Sequence, residues 1–561
     1  HQLIRSNFRD MIMRYLFFIL LPVLSFSQKY DPQKIEHGKR GNEYRVWIYF
    51  TDKDGSEPVT VNQKAIERRN KNDVSTNHLW YDLQVSPIYK NEITSLGLTI
   101  KNESRWLNAI SVICSKADLD RISDLPFVDK IEPVLMQKKS LIQNSDIVEL
   151  SRTLDYGGSQ VQMEQINCIA AHDLGYFGQG IRILYLDTGF ELNHEVFDSL
   201  NVVAQYDFIN NDENTANEND QEIEDGQDHH GTLCLSVLAG YEPGYLIGPA
   251  FKSEYLLAKT EIVADEIEQE EDNYVAGLEW GEQNGADIAC SSLGYLDWYT
   301  YEDLDGNTAV TTIGVDIAAS LGVLTVTSAG NEGNDDWYYI IAPADADSVL
   351  SVGAVNSSGD IASFSSHGPT YDDRIKPEVC AMGLYTYCIS PNTTSEYSSA
   401  SGTSLSAPLA AGAAAVVLSA NLNLSAMELR EALMMTASMA DSPNNDYGWG
   451  IVNTLAAINY EFMGTEKDQT EFIPIEYHVL KTYPNPFNPS LTIQVSAPPG
   501  VVLNVDVFSY DGRFIANLYS GKQFATVQTL NWKPGNVPSG IYFIRSSVNG
   551  KEQFKKVTFI K

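Results

Sequence analysis

Three short segments, in one order along the chain, constrain this sequence more than any other feature. An apolar strand pattern ends in Leu186-Asp187-Thr188-Gly189, an acidic loop precedes His230-Gly231-Thr232, and an Ala-rich helix pattern begins at Gly402-Thr403-Ser404. A serine hydroxyl is a weak nucleophile at neutral pH. It needs an imidazole to take its proton and a carboxylate to hold that imidazole in one tautomer. These segments therefore offer Asp187 as the orienting acid, His230 as the base and Ser404 as the nucleophile.

Each segment also has a less specific interpretation. Asp-Thr-Gly occurs in aspartic proteases, but those enzymes need a second Asp-Ser/Thr-Gly, and the sequence holds none. Asp187 could instead cap a strand, although ligands of open α/β sheets bind beyond the carboxyl ends of strands. His229 competes with His230, yet only His230 directly precedes Gly231-Thr232. The order Asp, His, Ser is the most specific signal, because serine proteases of different folds use different orders.

This order resembles that of the subtilisin-like serine proteases, and further segments within residues 156–460 support the resemblance. They are Ser292-Leu293-Gly294, Ser328-Ala329-Gly330-Asn331-Glu332-Gly333, the turns Phe364 to Pro369 and Lys376 to Val379, and Tyr447 to Asn453. The resemblance implies an α/β fold in which helices flank a parallel sheet. It also implies a secreted serine endopeptidase that cleaves proteins and peptides through the triad and an acyl-enzyme intermediate, without a cofactor.

The resemblance assigns two oxyanion donors. Asn331 would give a side-chain N–H, and the backbone N–H of Ser404 would be the second donor. Ser404 begins a helix after Thr403 as the expected N-cap, and helix N-termini present free N–H groups to developing negative charge.

The resemblance also assigns substrate-binding residues. Ser292, Leu293 and Gly294 are expected to pair with extended substrate backbone, which accepts many sequences. Ala329 and Gly330 are expected to line the same site. Ile341 stands where broad-specificity relatives have a Gly at the pocket floor. This predicts a preference for small or medium apolar residues before the cut.

The cysteines raise two expectations. Cys234 follows His230 by four residues, so its thiol lies on the same helix face as the base. Relatives of proteinase K carry a Cys at the matching place, and a buried small hydrophobic residue is the alternative. Cys380 and Cys388 could form a disulfide, which the sequence alone does not decide.

Composition limits the partners of the chain. Its 561 residues predict three or four structural units. The formal charge of −36 argues against nucleic acid and anionic membranes as partners. The loop from Asp212 to Asp228 could hold structural Ca²⁺, although its spacing fits no specific template and a solvated loop is the simpler interpretation. The mature enzyme is expected to be a monomer without a transmembrane span.

The segments before the protease-like region indicate export and processing. Residues 13–27 resemble a signal peptide, with a positive Arg14, an apolar stretch and a small-residue cleavage site. Residues 28–150 alternate strand and helix patterns, which predicts a small α+β module. This module resembles subtilase propeptides, which act as folding template and inhibitor until cut. A permanent substrate-binding domain is the alternative.

The C-terminal segment predicts a separate β-domain. Residues 461–476 are acidic and aperiodic, which is typical of a linker. Residues 477–561 show alternating strand patterns that predict an Ig-like β-sandwich. They resemble the sorting domain of type IX secretion, which implies export through the outer membrane of a Gram-negative bacterium by that machinery. A carbohydrate- or surface-binding module is the alternative. For the whole chain, the competing hypothesis is a binding protein on an inactive protease scaffold.

Overall fold

The computed structural model describes residues 29–462 and 479–559. The gaps are 73, 75–79, 135–153, 264–270, 297–298, 484–486, 488–489, 497–501, 510–512, 523–526, 536 and 549–550. The described residues form an N-terminal domain (29–134), a central domain (154–462) and a C-terminal domain (479–559). The expected signal peptide and most of the expected linker lie outside the described residues.

The N-terminal domain is an antiparallel sheet with helices, as the α+β prediction requires. Its strands are β1 (Lys39–Arg40), β2 (Glu43–Phe50), β3 (Ile100–Ser104), β4 (Ala109–Cys114) and β5 (Val128–Pro133), in the order β1-β2-β4-β3 with β5 also on β2. Its helices are α1 (Gln63–Lys71), α2 (Pro87–Ser95) and α3 (Lys116–Ser123). Local capping explains the helix starts: the Asn62 side chain accepts from Lys64 N, and Ser115 with Asp118 forms a capping box.

The central domain contains a seven-stranded parallel sheet, which confirms the predicted fold class. Its order is β14-β13-β12-β11-β6-β10-β7. The strands are β6 (Arg182–Asp187), β7 (Asn201–Asp207), β10 (Glu254–Lys259), β11 (Ile288–Ser291), β12 (Leu324–Ser328), β13 (Leu350–Val355) and β14 (Val379–Met382), beside the short pairs β8 (Tyr241–Glu242) with β9 (Leu246–Ile247) and β15 (Thr386–Ile389) with β16 (Tyr397–Ala400). The central strands are buried on both faces, which explains their continuous apolar runs.

Helices cover both faces of this sheet. They are α4 (Gln160–Gln165), α5 (Cys168–Asp173), α6 (Asp220–Asp225), α7 (His229–Ala239), α8 (Glu271–Gln283), α9 (Val310–Ser320), α10 (Thr403–Ala420), α11 (Ala426–Met435) and α12 (Thr454–Ile458). Helix α10 is long and apolar enough to span a membrane, but 89% of it is buried in the domain, so it is a core helix. Its small residues permit this packing, because a side chain at Gly412 would collide with the Pro249 ring.

The N-terminal domain covers helices α8 and α9. Trp47, Tyr49 and Ala109 of its sheet share a buried cluster with Val275 of α8 and Val310 of α9. Buried ion pairs border this cluster, among them Arg45 Nη2 to Asp272 Oδ2 at 2.8 Å.

The C-terminal domain is a sandwich of two antiparallel sheets. Their orders are β17-β18-β21 and β20-β19-β22-β23. The strands are β17 (Val479–Tyr483), β18 (Leu491–Ser496), β19 (Val502–Ser509), β20 (Phe514–Lys522), β21 (Val527–Trp532), β22 (Gly540–Val548) and β23 (Lys551–Phe559). Leu491 and Ile493 of one sheet share a core with Val505 and Ile544 of the other.

Candidate active site

Asp187 and His230 meet at the carboxyl edge of the parallel sheet. Asp187 is the last residue of β6 and is fully buried. His230 is the second residue of α7, and its Nδ1 lies 2.7 Å from Asp187 Oδ1. The backbone N–H of Thr188 also donates to Asp187 Oδ1, at 2.8 Å. Two groups therefore contact the same carboxylate oxygen, and they fix the Asp187 side chain against the imidazole.

Gly231 allows this contact. A Cβ at position 231 would collide with the Gly189 carbonyl oxygen and lie 3.0 Å from Asp187 Cβ. The glycine after His230 thus lets the start of α7 approach the end of β6 closely, which gives the His-Gly-Thr pattern a physical reason.

The electrostatics of His230 follow from the same contact. Burial alone would lower the pKa of His230, but the neighbouring Asp187 carboxylate raises that pKa well above its usual value. Asp187 therefore stabilises the protonated imidazole, the form that a general base reaches after taking a proton.

Ser404 lies in the first turn of α10. Its Oγ donates to the Ser292 carbonyl at 3.2 Å, and Ser292 Oγ donates to the Ser404 carbonyl at 2.9 Å. Cys234 lies beside the base, because its Sγ is 3.9 Å from His230 Nε2. Burial raises the pKa of the Cys234 thiol. The structure therefore places Cys234 on the face of α7 that bears His230.

Asn331 is oriented by the residue before Ser404. The Thr403 backbone N–H and hydroxyl donate to Asn331 Oδ1 at 2.8 and 3.0 Å. Because the amide oxygen is engaged there, the Nδ2 group points away from Thr403. The expected N-cap role of Thr403 is wrong: Gly402 is the N-cap, and Thr403 is already helical. Its hydroxyl is committed to Asn331, a partner that local sequence does not reveal.

The expected substrate-binding residues surround one side chain, Ile341. Its N–H donates to the Ala329 carbonyl at 3.1 Å. A Cβ at Gly330 would lie 3.1 Å from Ile341 Cγ1, and a Cβ at Gly294 would collide with Ile341 Cδ1. Ser292 and Leu293 lie just beyond β11 and are 5% and 2% exposed. Ile341 thus fills the space between the two glycine-bearing segments and is 8% exposed.

Sequence reasoning missed a buried lysine that ties the acidic segment to the sheet. Lys259, at the end of β10, is fully buried, and its Nζ lies 2.9 Å from Asp207 Oδ2 and 3.0 Å from Glu222 Oε2. Glu222 belongs to α6, so the acidic segment treated as a solvated loop contains a helix tied to the sheet. The only signal was a Lys that ends an apolar run.

The expectation of structural Ca²⁺ stays a prediction. Carboxylate oxygens of Asp207, Asp212 and Glu218 lie within 4.8 Å of one another. Asp207 already pairs with the Lys259 ammonium and accepts from Ile209 N at 2.6 Å. One carboxylate of this group is therefore neutralised by a protein cation.

The disulfide considered between Cys380 and Cys388 is absent from the described part of the chain, where both residues are free thiols. Cys380 Sγ lies 3.5 Å from the Tyr447 carbonyl, whereas Cys388 Sγ lies 3.8 Å from Ser398 Oγ. The two thiols face different neighbours because they lie on strands of different sheets.

Comparison with family models divides the chain into three matched regions. Residues 178–450 match the subtilase family, and residues 45–147 match the peptidase S8 propeptide domain of Bacteroidota. Residues 481–561 match the secretion system C-terminal sorting domain.

Individual relatives are similar over more than half of the chain. Subtilisin DY of Bacillus licheniformis is 32% identical over 309 residues, which cover 55% of this chain and 99% of that protein. Subtilisin E of Bacillus subtilis (strain 168) is 28% identical over 371 residues, 66% of this chain and 85% of its own length. An alkaline protease of Alkalihalobacillus alcalophilus is 28% identical over 368 residues, 65% of this chain and 83% of that protein.

Proposed function

The chain belongs to the subtilase family of serine peptidases, and we propose that it is a secreted endopeptidase whose triad is Asp187, His230 and Ser404. The observation that carries the proposal is the Asp187–His230 contact of 2.7 Å at the end of β6. Ser404 is hydrogen-bonded to Ser292, which lies just beyond β11, the strand beside β6. The chain also carries a propeptide domain, and its sorting domain indicates secretion across the outer membrane of a Gram-negative bacterium.

In the proposed reaction, Ser404 Oγ turns from the Ser292 carbonyl to His230 Nε2 and gives up its proton as it attacks the substrate carbonyl carbon. Catalytic hydrogen bonds are often long before substrate binds, so the present Ser404 contact is compatible with this role. His230 then protonates the leaving amine, and the acyl group stays on Ser404. A water activated by His230 releases the acyl group and restores the enzyme.

The oxyanion formed in each step would be bound by Asn331 Nδ2 and Ser404 N. Two observations support this assignment. Thr403 holds the Asn331 amide by its oxygen, which directs the Nδ2 donor away from Thr403. Ser404 lies in the first turn of α10, where backbone N–H groups lack intrahelical acceptors. Donors that are fixed before the reaction stabilise developing charge without reorganisation.

Ile341 would set specificity for the residue before the cut. Its branched side chain occupies the space between Gly294 and Gly330, where an aromatic substrate side chain would otherwise enter. The expected preference is for small or medium apolar residues over Phe and Tyr.

The propeptide domain would keep the enzyme inactive until maturation. Its sheet is packed on α8 and α9, and its arginines enter buried ion pairs with α8. A module fixed in this way suits an inhibitor that is later removed better than a separate substrate-binding domain.

An active-site label tests the proposal against an inactive scaffold. A fluorophosphonate should label the secreted wild-type protein at Ser404, whereas Ser404→Ala should take no label. That variant should also lose about 10⁶-fold in kcat, the loss found for subtilisin itself, and keep its propeptide covalently attached. Labelling elsewhere, or normal self-maturation of purified Ser404→Ala, would show that the triad is misassigned.

A further inference from the structure

The sorting domain differs in charge from the rest of the chain. Residues 477–561 hold nine Lys or Arg and three Asp or Glu, which gives a formal charge of +6. The remaining residues carry −42 of the total of −36. A partner that selects this domain by charge would therefore be acidic, and it would not attract the protease itself.

One face of the four-stranded sheet is buried in the sandwich, and the opposite face carries aromatic side chains. Val505 and Val507 of β19 and Ile544 of β22 are fully buried on the inner face. Side chains alternate along a strand, so Phe508 and Phe543 lie on the outer face. They are cross-strand neighbours, because Phe508 pairs with Phe543 on one side and with Phe514 on the other.

A fixed positive charge lies among these rings. The Arg545 guanidinium is 4.7 Å from the centroid of the Phe508 ring, and its Nη2 lies 2.7 Å from Asp506 Oδ2. Arg545 pairs across β22 and β23 with Phe554. We call Phe508, Phe514, Phe543, Arg545 and Phe554 the outer aromatic face.

The outer aromatic face is partly open to solvent. Phe514 and Phe554 are 55% and 57% exposed. The ring of Phe514 contacts that of Phe508 edge to face, with centroids 5.8 Å apart. Contiguous exposed apolar side chains of this kind mark interaction sites, and aromatic residues with Arg dominate the binding energy of protein interfaces.

We propose that the outer aromatic face is the surface by which the type IX secretion machinery recognises this domain. The complementary surface is an apolar groove with carboxylates at its rim. Two observations select this occupant: the domain matches a secretion sorting domain, and its positive charge favours an acidic partner. The inference rests on the sorting role of the domain and identifies the face that the machinery contacts.

The test is secretion of the full-length chain in a bacterium that has type IX secretion. Phe514→Ser combined with Phe554→Ser should lower the secreted fraction about tenfold or more, because a few large side chains at the centre of an interface carry most of its binding energy. The folding cost should be small, because both side chains are more than half exposed. Val502→Ser is the matched control: Val502 is 48% exposed on the same strand as Phe508, six residues away, and its loss should leave secretion unchanged.

A second variant and a deletion keep the outcomes distinct. Lys556→Glu reverses the charge of an exposed position on β23 that pairs with Phe543, and it should also lower secretion. A chain lacking 477–561 should be retained in the cell. If the double Phe variant is secreted normally while the chain lacking 477–561 stays in the cell, the proposed face is wrong but the sorting role of the domain stands. Normal secretion of the deletion would overturn both.

Two measurements exclude other occupants. Vesicles containing lipopolysaccharide are first mixed with the purified Ser404→Ala chain. If they bind it, and the double Phe substitution abolishes that binding, the outer aromatic face binds membrane lipid and the proposal fails. If the double substitution instead lowers the unfolding temperature of the central domain, the face lies against the chain's own acidic domains, and the proposal fails as well.

Discussion

Replacing Arg69 by Met should loosen the propeptide domain from the central domain. Arg69 lies on α1 and is 2% exposed, and its guanidinium stands between two buried carboxylates. It donates to Asp82 Oδ1 and Oδ2 at 2.8 and 2.9 Å, and to Glu282 Oε1 and Oε2 at 2.9 and 3.0 Å. Asp82 belongs to the propeptide domain, whereas Glu282 is on α8 of the central domain.

The magnitude follows from leaving two buried carboxylates without this cation. Removing one partner of a buried ion pair costs roughly 3–5 kcal/mol. Arg68 and Arg105 also contact Glu282, at its Oε1 and Oε2, and they keep part of its charge compensated. We therefore expect a loss near the lower limit, about 3 kcal/mol, which is about a hundredfold in the folding equilibrium.

Urea unfolding of the full-length chain measures this loss, in a Ser404→Ala background that prevents self-cleavage. Arg121→Met is the matched control, because Arg121 is 53% exposed and its ion-pair partner Asp118 is three residues away. The control should change stability by less than about 0.5 kcal/mol.

A double-mutant cycle with Glu282→Gln separates the contact between the domains from the Asp82 contact within one domain. The coupling free energy between Arg69 and Glu282 should be about 1–3 kcal/mol. A coupling near zero, or equal effects of Arg69→Met and Arg121→Met, would refute the view that this ion pair holds the propeptide domain in place.

Four further outcomes are expected of the active site. Asn331→Leu should lower kcat about 10²–10³-fold with little change in KM, the loss known for subtilisin without the corresponding donor; a variant of normal kcat would show that Asn331 does not bind the oxyanion. Ile341→Gly should raise kcat/KM for substrates with Phe or Tyr before the cleaved bond by about 10- to 200-fold. A wild-type cleavage profile dominated by Phe or Tyr would contradict the view that Ile341 narrows the substrate pocket. Wild-type enzyme should lose activity to mercurials and Cys234→Ala should resist them; equal inhibition would place the reactive thiol elsewhere. Because the base must be neutral and the pKa of His230 is raised, kcat/KM should rise with pH through a midpoint above 6.5, and Asp187→Asn should lower that midpoint; an acid limb below 6.5 in the wild type would contradict the assigned pair.

The same pKa shift has a consequence for stability. A raised pKa in the folded state means that the His230–Asp187 contact contributes its full stabilisation below the unfolded pKa of a histidine. This contribution is lost as the pH rises through the folded pKa of His230.

The sequence determined those features that local chemistry controls. Apolar runs specified strands such as β6 and β11, and Asn62 and Ser115 fixed the starts of α1 and α3 through bonds to backbone three residues away or fewer. The Asp, His and Ser segments could be found because each functional residue stands beside residues that the local backbone geometry requires. Gly231, which admits Asp187, is an example.

The tertiary structure decided which distant groups become partners. Thr403 reads as a helix cap, yet its hydroxyl holds Asn331, 72 residues away in the chain. Lys259 ends an apolar run, and the fold buries it fully between Asp207 and Glu222. Arg69 lies on α1 of the N-terminal domain, and its partner Glu282 is 213 residues away on α8. A buried charge or hydroxyl needs a polar partner, and the partner is whichever group the fold brings within hydrogen-bond distance. The identity of that group depends on which elements pack together, and local sequence does not encode that packing.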